Sequence, residues 1–163
     1  MKMTVTTAVT ILAALALGSA RAGLLDGGPG AIDGVPSQVV YRIAPVYVEP
    51  GLADTLVSCT NHDIAAAHVA LEWFDDNDRP AGRLVSANVA AEATVTFASS
   101  QISGRANVVV VSTEGRIGHG KARISATTTR LACTAFHHVS MPDGGIKEDA
   151  VSLVKYVAHN TNY

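Results

Sequence analysis

Only two cysteines occur in this chain of 163 residues, and they sit in matching settings, Val57-Ser58-Cys59-Thr60-Asn61 and Leu131-Ala132-Cys133-Thr134-Ala135. A bond between them would join points 74 residues apart, so it constrains the fold more than any other feature. Whether they bond depends on the compartment. The N-terminus speaks to that. Lys2 supplies a positive start, Val5 to Leu17 is an uncharged apolar stretch, and Ala20-Arg21-Ala22 places small residues at two cleavage-site positions. Cleavage is expected after Ala22, with Ala20 as the alternative. A bilayer span needs about 20 apolar residues, and this stretch is shorter. No cysteine stands near the cut to accept lipid, and there is no twin arginine. The expectation is a removed signal, a periplasmic or secreted product with no transmembrane segment, and a Cys59–Cys133 disulfide.

Without residues 1–22, a chain of 141 residues remains, the length of one domain. It can bury roughly two-thirds of its unfolded surface. Lys2 and Arg21 leave with the signal, so ten basic residues face fourteen acidic ones and the net charge is −4. No Lys/Arg cluster remains to track phosphates, which argues against nucleic acid as a partner.

Gly23 to Ser37 carries five glycines and two prolines and reads as a flexible arm over residues 23–37. From residue 38 to 163, short β-like runs alternate with turn residues. Gln38 to Ile43 and Val46 to Val48 are expected to form an edge strand broken at Pro45. Thr55 to Asn61 follows Pro50-Gly51 and sets Thr55, Val57 and Cys59 on one face. Ala67 to Phe74 alternates, with Val69, Leu71 and Trp73 opposed to His68, Ala70 and Glu72. Further strands are expected at Gly82 to Ala87, Ala93 to Ala98, Ala106 to Ser112, Lys121 to Thr127 and Arg130 to Phe136. In the tail, Ile146, Ala150, Leu153, Val154 and Val157 fit a helical stripe. Val151-Ser152-Leu153 and Tyr156-Val157 suit a strand, and the β-rich context favours the strand for residues 146–159.

Seven or eight short strands at this spacing imply an all-β, antiparallel sandwich. The order Cys59, Trp73, Cys133 is similar to the immunoglobulin-like arrangement of an inter-sheet disulfide packed on a tryptophan. The tyrosine expected two residues before the second cysteine is replaced by Leu131.

Three motifs bear on chemistry. Gly115-Arg116-Ile117-Gly118-His119-Gly120-Lys121-Ala122 is one residue short of a phosphate-binding loop, since Ala122 stands where a magnesium-holding hydroxyl is needed. It reads as a glycine-rich hairpin turn. Asp75 to Asp78 has the oxygen ligands of a calcium loop but lacks its glycine and closing glutamate, so it reads as a solvated turn. Cys133, His138 and Met141 have the form Cys-x4-His-x2-Met, which resembles the ligand loop of the cupredoxins. That resemblance implies a copper electron carrier with His62 or His68 as the second histidine. It needs Cys133 as a free thiolate while Cys59 stands ready to oxidise it, and strand alternation puts His138 on the face opposite His137. His119 and His159 stand in polar stretches and read as surface residues. No nucleophile elbow, zinc-protease motif or paired catalytic carboxylates occur.

The glycine-rich arm, single disulfide and terminal Tyr163 resemble chaperone–usher pilins, which would imply an assembly subunit completed by a partner's strand. The paired phrases Cys59-Thr60-Asn61 and Cys133-Thr134-Ala135, with Trp73-Phe74-Asp75 and Lys121-Ala122-Arg123-Ile124 between them, resemble a recurring pattern in small exported bacterial β-sandwich proteins of unknown function. The similarity covers about Leu56 to Phe136. It implies a sandwich and a disulfide and carries no activity. The expected role is a non-enzymatic binding or structural module with no cofactor, no catalytic residues and no metal ligands, whose partner is another protein or the cell envelope.

Overall fold

The computed structural model describes residues 30–99, 108–113 and 115–155. The expected signal, residues 23–29 of the arm, and Tyr156, Val157, His159 and Tyr163 lie outside these. Every regular element among the described residues is a strand: β1 (Ala31–Ile32), β2 (Val35–Pro36), β3 (Gln38–Val48), β4 (Ala53–Asn61), β5 (Ala67–Phe74), β6 (Val85–Val89), β7 (Thr94–Ala98), β8 (Val108–Val110), β9 (Ile117–Ala126), β10 (Leu131–Ser140), β11 (Ile146–Val151) and β12 (Leu153–Lys155). One five-stranded sheet runs β11-β10-β4-β7-β8, a second runs β12-β3-β9-β5-β6, and β1-β2 is a separate hairpin.

Alternation explains the core. Val57, Phe97 and Leu131 point inward from the first sheet, and Ile43, Leu71, Trp73 and Ile124 from the second, to make one buried cluster. Two aromatic side chains reach across it with their polar ends. The Tyr41 hydroxyl on β3 donates to the Leu131 carbonyl on β10 (2.8 Å), and Trp73 Nε1–H on β5 donates to the Val111 carbonyl just after β8 (2.8 Å). A buried N–H or O–H costs free energy unless bonded, so these two bonds allow large rings at the core's centre. No tyrosine stands two residues before Cys133, yet a phenol from β3 reaches the backbone at Leu131.

The all-β expectation and the disulfide hold, and several finer expectations are corrected. The sheets are not wholly antiparallel, because β7 and β8 pair in parallel. A parallel neighbour needs a connection that returns to the strand's starting end, which a tight hairpin cannot supply. Nor does the disulfide join the two sheets. Cys59 and Cys133 stand directly opposite each other on β4 and β10, neighbours in one sheet, while Trp73 faces the same core from the other sheet.

Pro45 marks a bulge, not a break at an edge. β3 continues through the cis Ala44–Pro45 bond, with its register against β9 shifting between Ile43 and Val46, and β12 lies outside it against Tyr41–Ile43. The tail is strand in its described part. β11 pairs with β10 in one sheet and, after Ser152 alone, β12 pairs with β3 in the other.

The Gly/Pro-rich segment is not a bare arm over its whole length. Asp33 (φ 51°) and Gly34 (φ 81°) both adopt the left-handed conformation and turn β1 into β2, the pattern of a type I′ hairpin, which Asp-Gly favours. Ile32 is buried, and Asp33 Oδ2 accepts from Ser86 Oγ (3.0 Å) and meets His68 Nδ1 (3.0 Å), which docks the hairpin on the outer face of β5 and β6. The supposed glycine-rich turn at residues 115–122 is mostly strand as well, since β9 starts at Ile117. A Cβ at Gly120 would lie 2.3 Å from the Phe74 carbonyl oxygen and 2.2 Å from the Ile117 side chain. Close strand packing, not a phosphate cradle, accounts for that glycine.

Candidate functional site

The residues with copper-ligand chemistry do not converge. Cys133 is bonded to Cys59, so no thiolate is available to a metal. Cys133 and His138 are five residues apart on one strand and therefore face opposite sides of the sheet. His138 Nδ1 meets Glu148 Oε1 (3.2 Å), and Met141 is exposed in the turn after β10. His62 pairs with Glu92 at 3.2 Å, and His68 with Asp33 on the other sheet. The cupredoxin ligand set is thus corrected: spacing along the chain put these residue types near one another, and the pleat separated them. Among the described residues, no group of three or more His, Cys, Asp or Glu side chains has a metal-binding arrangement.

Register brings together a different polar constellation. On the face of the first sheet turned away from the core, Asp54 on β4, His138 on β10 and Glu148 on β11 occupy directly opposed positions. Asp54 and His138 are buried. Ser99, just beyond β7, donates from Oγ to Asp54 Oδ1 at 2.6 Å. Leu56, Ala98, Val108 and Phe136 form a small apolar cluster on the same face. The serine therefore hydrogen-bonds a carboxylate, and the imidazole bonds a different one. This order differs from a serine–histidine–carboxylate relay, in which the imidazole takes the hydroxyl proton. Nothing in the spacing of residues 54, 99, 138 and 148 announces the row. Only strand pairing does.

The second sheet's outer face holds an ion pair. Arg123 on β9 is buried, donates to Glu72 on β5, and lies with its guanidinium carbon 5.2 Å from the centre of the Phe74 ring. Within the phrase Lys121-Ala122-Arg123-Ile124, Ala122 and Ile124 enter the core while Arg123 turns outward to this pair. Lys121 bonds Asp78 (2.6 Å) in the Asp75–Asp78 turn, where Asp75 Oδ1 accepts from the N–H groups of Asn77 and Arg79 (2.9 and 2.8 Å). Those carboxylates serve the turn and its neighbour strand.

Asn61 is the hub of the loops at one end. Its Nδ2 donates to the carbonyls of Ala65 (2.8 Å) and Val89 (3.0 Å), and its Oδ1 accepts from Asp63 N–H (2.9 Å). Its backbone bonds Ala93 and Glu92. Next to it, Asp63 accepts from Thr128 Oγ1 (2.6 Å) and from Ile64 N–H (2.8 Å). The Thr128 hydroxyl above all, then the Ile64 N–H, hold the Asp63 carboxyl below its ordinary value against an opposing effect of burial, and the charge of Arg130 adds least. A carboxyl lowered by folding adds stability that is present above its unfolded pKa and is lost as pH falls through the folded one. Thr128→Val is therefore expected to move the Asp63 titration upward and to flatten the stability loss below about pH 4. A carboxyl-carbon NMR titration checks this, and an unmoved Asp63 would show that the threonine bond is not the cause.

No family model, no curated protein and no solved structure matches this chain.

Proposed function

We propose that the protein is an exported, non-enzymatic module with an immunoglobulin-like sandwich architecture, working in the periplasm or outside the cell as a binding or structural domain. One observation carries this reading. The only two cysteines of the chain are bonded to each other, in a sequence whose first 22 residues have the three-part form of a secretory signal. Disulfides persist in oxidising compartments, so bond and signal point the same way. The sandwich reading is supported by two five-stranded sheets whose inward side chains share one cluster. The likeness to immunoglobulin domains lies in those packed sheets and not in the position of the disulfide.

A non-enzymatic role is supported by where the polar side chains go. Asn61, Asp63, Asp75 and Arg123 each satisfy backbone groups or a neighbouring strand. Groups used in this way build the fold, and among the described residues they form no open set of convergent side chains around a reactive atom.

Cell fractionation followed by intact-mass measurement, thiol counting and metal analysis tests the reading. The expected result is a periplasmic or secreted species lacking residues 1–22, with no free thiol and no copper. A cytoplasmic protein with two free thiols, or a product that binds copper stoichiometrically, would overturn it.

A further inference from the structure

Sheets packed face to face stand about 10 Å apart, and side chains from both must fill the gap. The two sides of this sandwich are finished differently. On one, the chain itself crosses between the sheets, from β11 through Ser152 to β12, and Val151 at the crossing is buried. On the other lie the edges β6 and β8, and an isolated bridge, Gly82 to Thr113, joins the segments beside them. That bridge is tight, since a Cβ at Gly82 would lie 2.4 Å from the Ser112 carbonyl oxygen.

Next to the bridge a cavity of about 290 Å³ remains. Gly82, Arg83 and Val85 wall it on the β6 side, and Val110, Ser112 and Thr113 on the β8 side. The core thins toward this margin. Ala81, Val85 and Ala87 on one edge and Val109 on the other pack against the core cluster yet are only partly buried. Alanines fill less of the gap than Trp73 and Phe97 do at the centre. Among the described residues Arg83 is the single charged one in the wall. It is exposed, and its guanidinium has no hydrogen bond or ion pair.

We propose that this cleft binds a medium-chain fatty carboxylate, with the alkyl chain against Val85 and Val110 and the carboxylate on Arg83. An aliphatic wall with one cation complements an apolar chain that ends in an anion. No acidic residue among those lining the cavity opposes it. The volume stands at the small end of ligand sites, which suits a chain of about eight carbons and excludes a lipid with two tails. The inference rests on the binding role proposed above and names its ligand class. Failure of octanoate to bind would leave the localisation and thiol count of that reading untouched, so the two fail separately.

An NMR titration of the purified protein with sodium octanoate, read at methyl and amide signals, decides the matter. The expected result is saturable shifts at the Val85 and Val110 methyls and the Gly82 N–H, with a dissociation constant on the order of 1 mM. Acetate carries the charge without the chain, and 1-octanol the chain without the charge. Each is expected to bind more weakly than octanoate. Arg83→Gln is expected to weaken octanoate by up to about fivefold, the range of an exposed ion pair, and to leave octanol unchanged. Arg83→Glu is expected to weaken octanoate further. Octanol binding as tightly as octanoate, acetate giving the same shifts, or an octanoate affinity unmoved by Arg83→Gln overturns the proposal. Octanoate shifts confined to other residues overturn it too. So do shifts at Val85 and Val110 on concentrating the protein alone, which would give the cavity to a second copy.

Discussion

Reduction of the Cys59–Cys133 bond is expected to lower the unfolding free energy by up to about 4.5 kcal/mol, the chain-entropy value for a closed loop of this size. The two residues are 74 apart in sequence and directly opposite each other on adjacent, already hydrogen-bonded strands. Opening the bond therefore leaves β4 and β10 in register, and the effect falls chiefly on the unfolded chain, which regains the freedom the link had removed. The surroundings of the two sulfurs differ. Cys59 is fully buried in the shared core, and Cys133 is only partly covered. A hydroxyl at position 59 would be desolvated in the core. The Cys59→Ser/Cys133→Ser pair is thus expected to lose roughly 1–3 kcal/mol more than the Cys59→Ala/Cys133→Ala pair. Urea titrations with and without reductant, followed by the fluorescence of Trp73, measure both effects. A midpoint unmoved by reductant would show that the closed loop does not restrict the unfolded state.

Asn61→Asp, nearly isosteric, is expected to cost about 3–5 kcal/mol at neutral pH, the range for a buried charge left without a partner. Asn61 is 0 % exposed and donates through Nδ2 to the carbonyls of Ala65 and Val89. A carboxylate replaces those donors with an acceptor that faces the same oxygens. Asn61→Ala is expected to cost less, about 1–3 kcal/mol, because it leaves the carbonyls unpaired without adding charge. The pH dependence separates the two. Burial of one carboxyl oxygen against the Ala65 and Val89 carbonyls raises the pKa of the introduced carboxyl in the folded state. A group raised by folding is least harmful below its unfolded pKa, and its penalty grows as pH rises. The Asn61→Asp defect should therefore shrink toward about pH 4, while the Asn61→Ala defect should not follow it. Denaturation curves at both pH values check this, and a pH-independent Asn61→Asp defect would place the side chain in water rather than in the loop hub.

Asn61 also gives a physical content to the phrase Cys59-Thr60-Asn61. Cys59 faces the core, Thr60 faces outward to bond Thr94 Oγ1 at 2.8 Å, and Asn61 ends the strand by collecting the loops. The second phrase repeats only the first of these roles, since Thr134 and Ala135 continue β10. Short motifs of this kind mark positions in a sheet rather than a reaction.

The candidate site was the least legible part of the chain. Cys133, His138 and Met141 suggested copper because ligand spacing was read along the chain, whereas a strand sends alternate residues to opposite faces. As a set, Asp54, Ser99, His138 and Glu148 give no signal, being 39 to 94 positions from one another except for the last pair. Two local features are hidden in the sequence for a related reason. Asp33-Gly34 carries the signature of a tight hairpin, but the surrounding glycines and prolines read as a loose arm. Gly120 reads as a turn residue because a glycine required by close packing has the same letter as one required by a positive φ.

What the sequence by itself determined is the all-β character and the pairing of its cysteines. Alternation in Ala67 to Phe74 and in Thr55 to Asn61 is a local property of the strand, and two lone cysteines have only each other. Tertiary structure alone decided what the disulfide spans. The same pair would suit a bridge between sheets or a bridge within one, and strand order, set by which apolar faces pack together, placed Cys59 and Cys133 side by side on β4 and β10. It likewise decided that Pro45 sits in a bulge and that the tail crosses from one sheet to the other at Ser152. Each depends on which strand becomes the neighbour of which, a choice made by long-range burial and not by any residue's own preference.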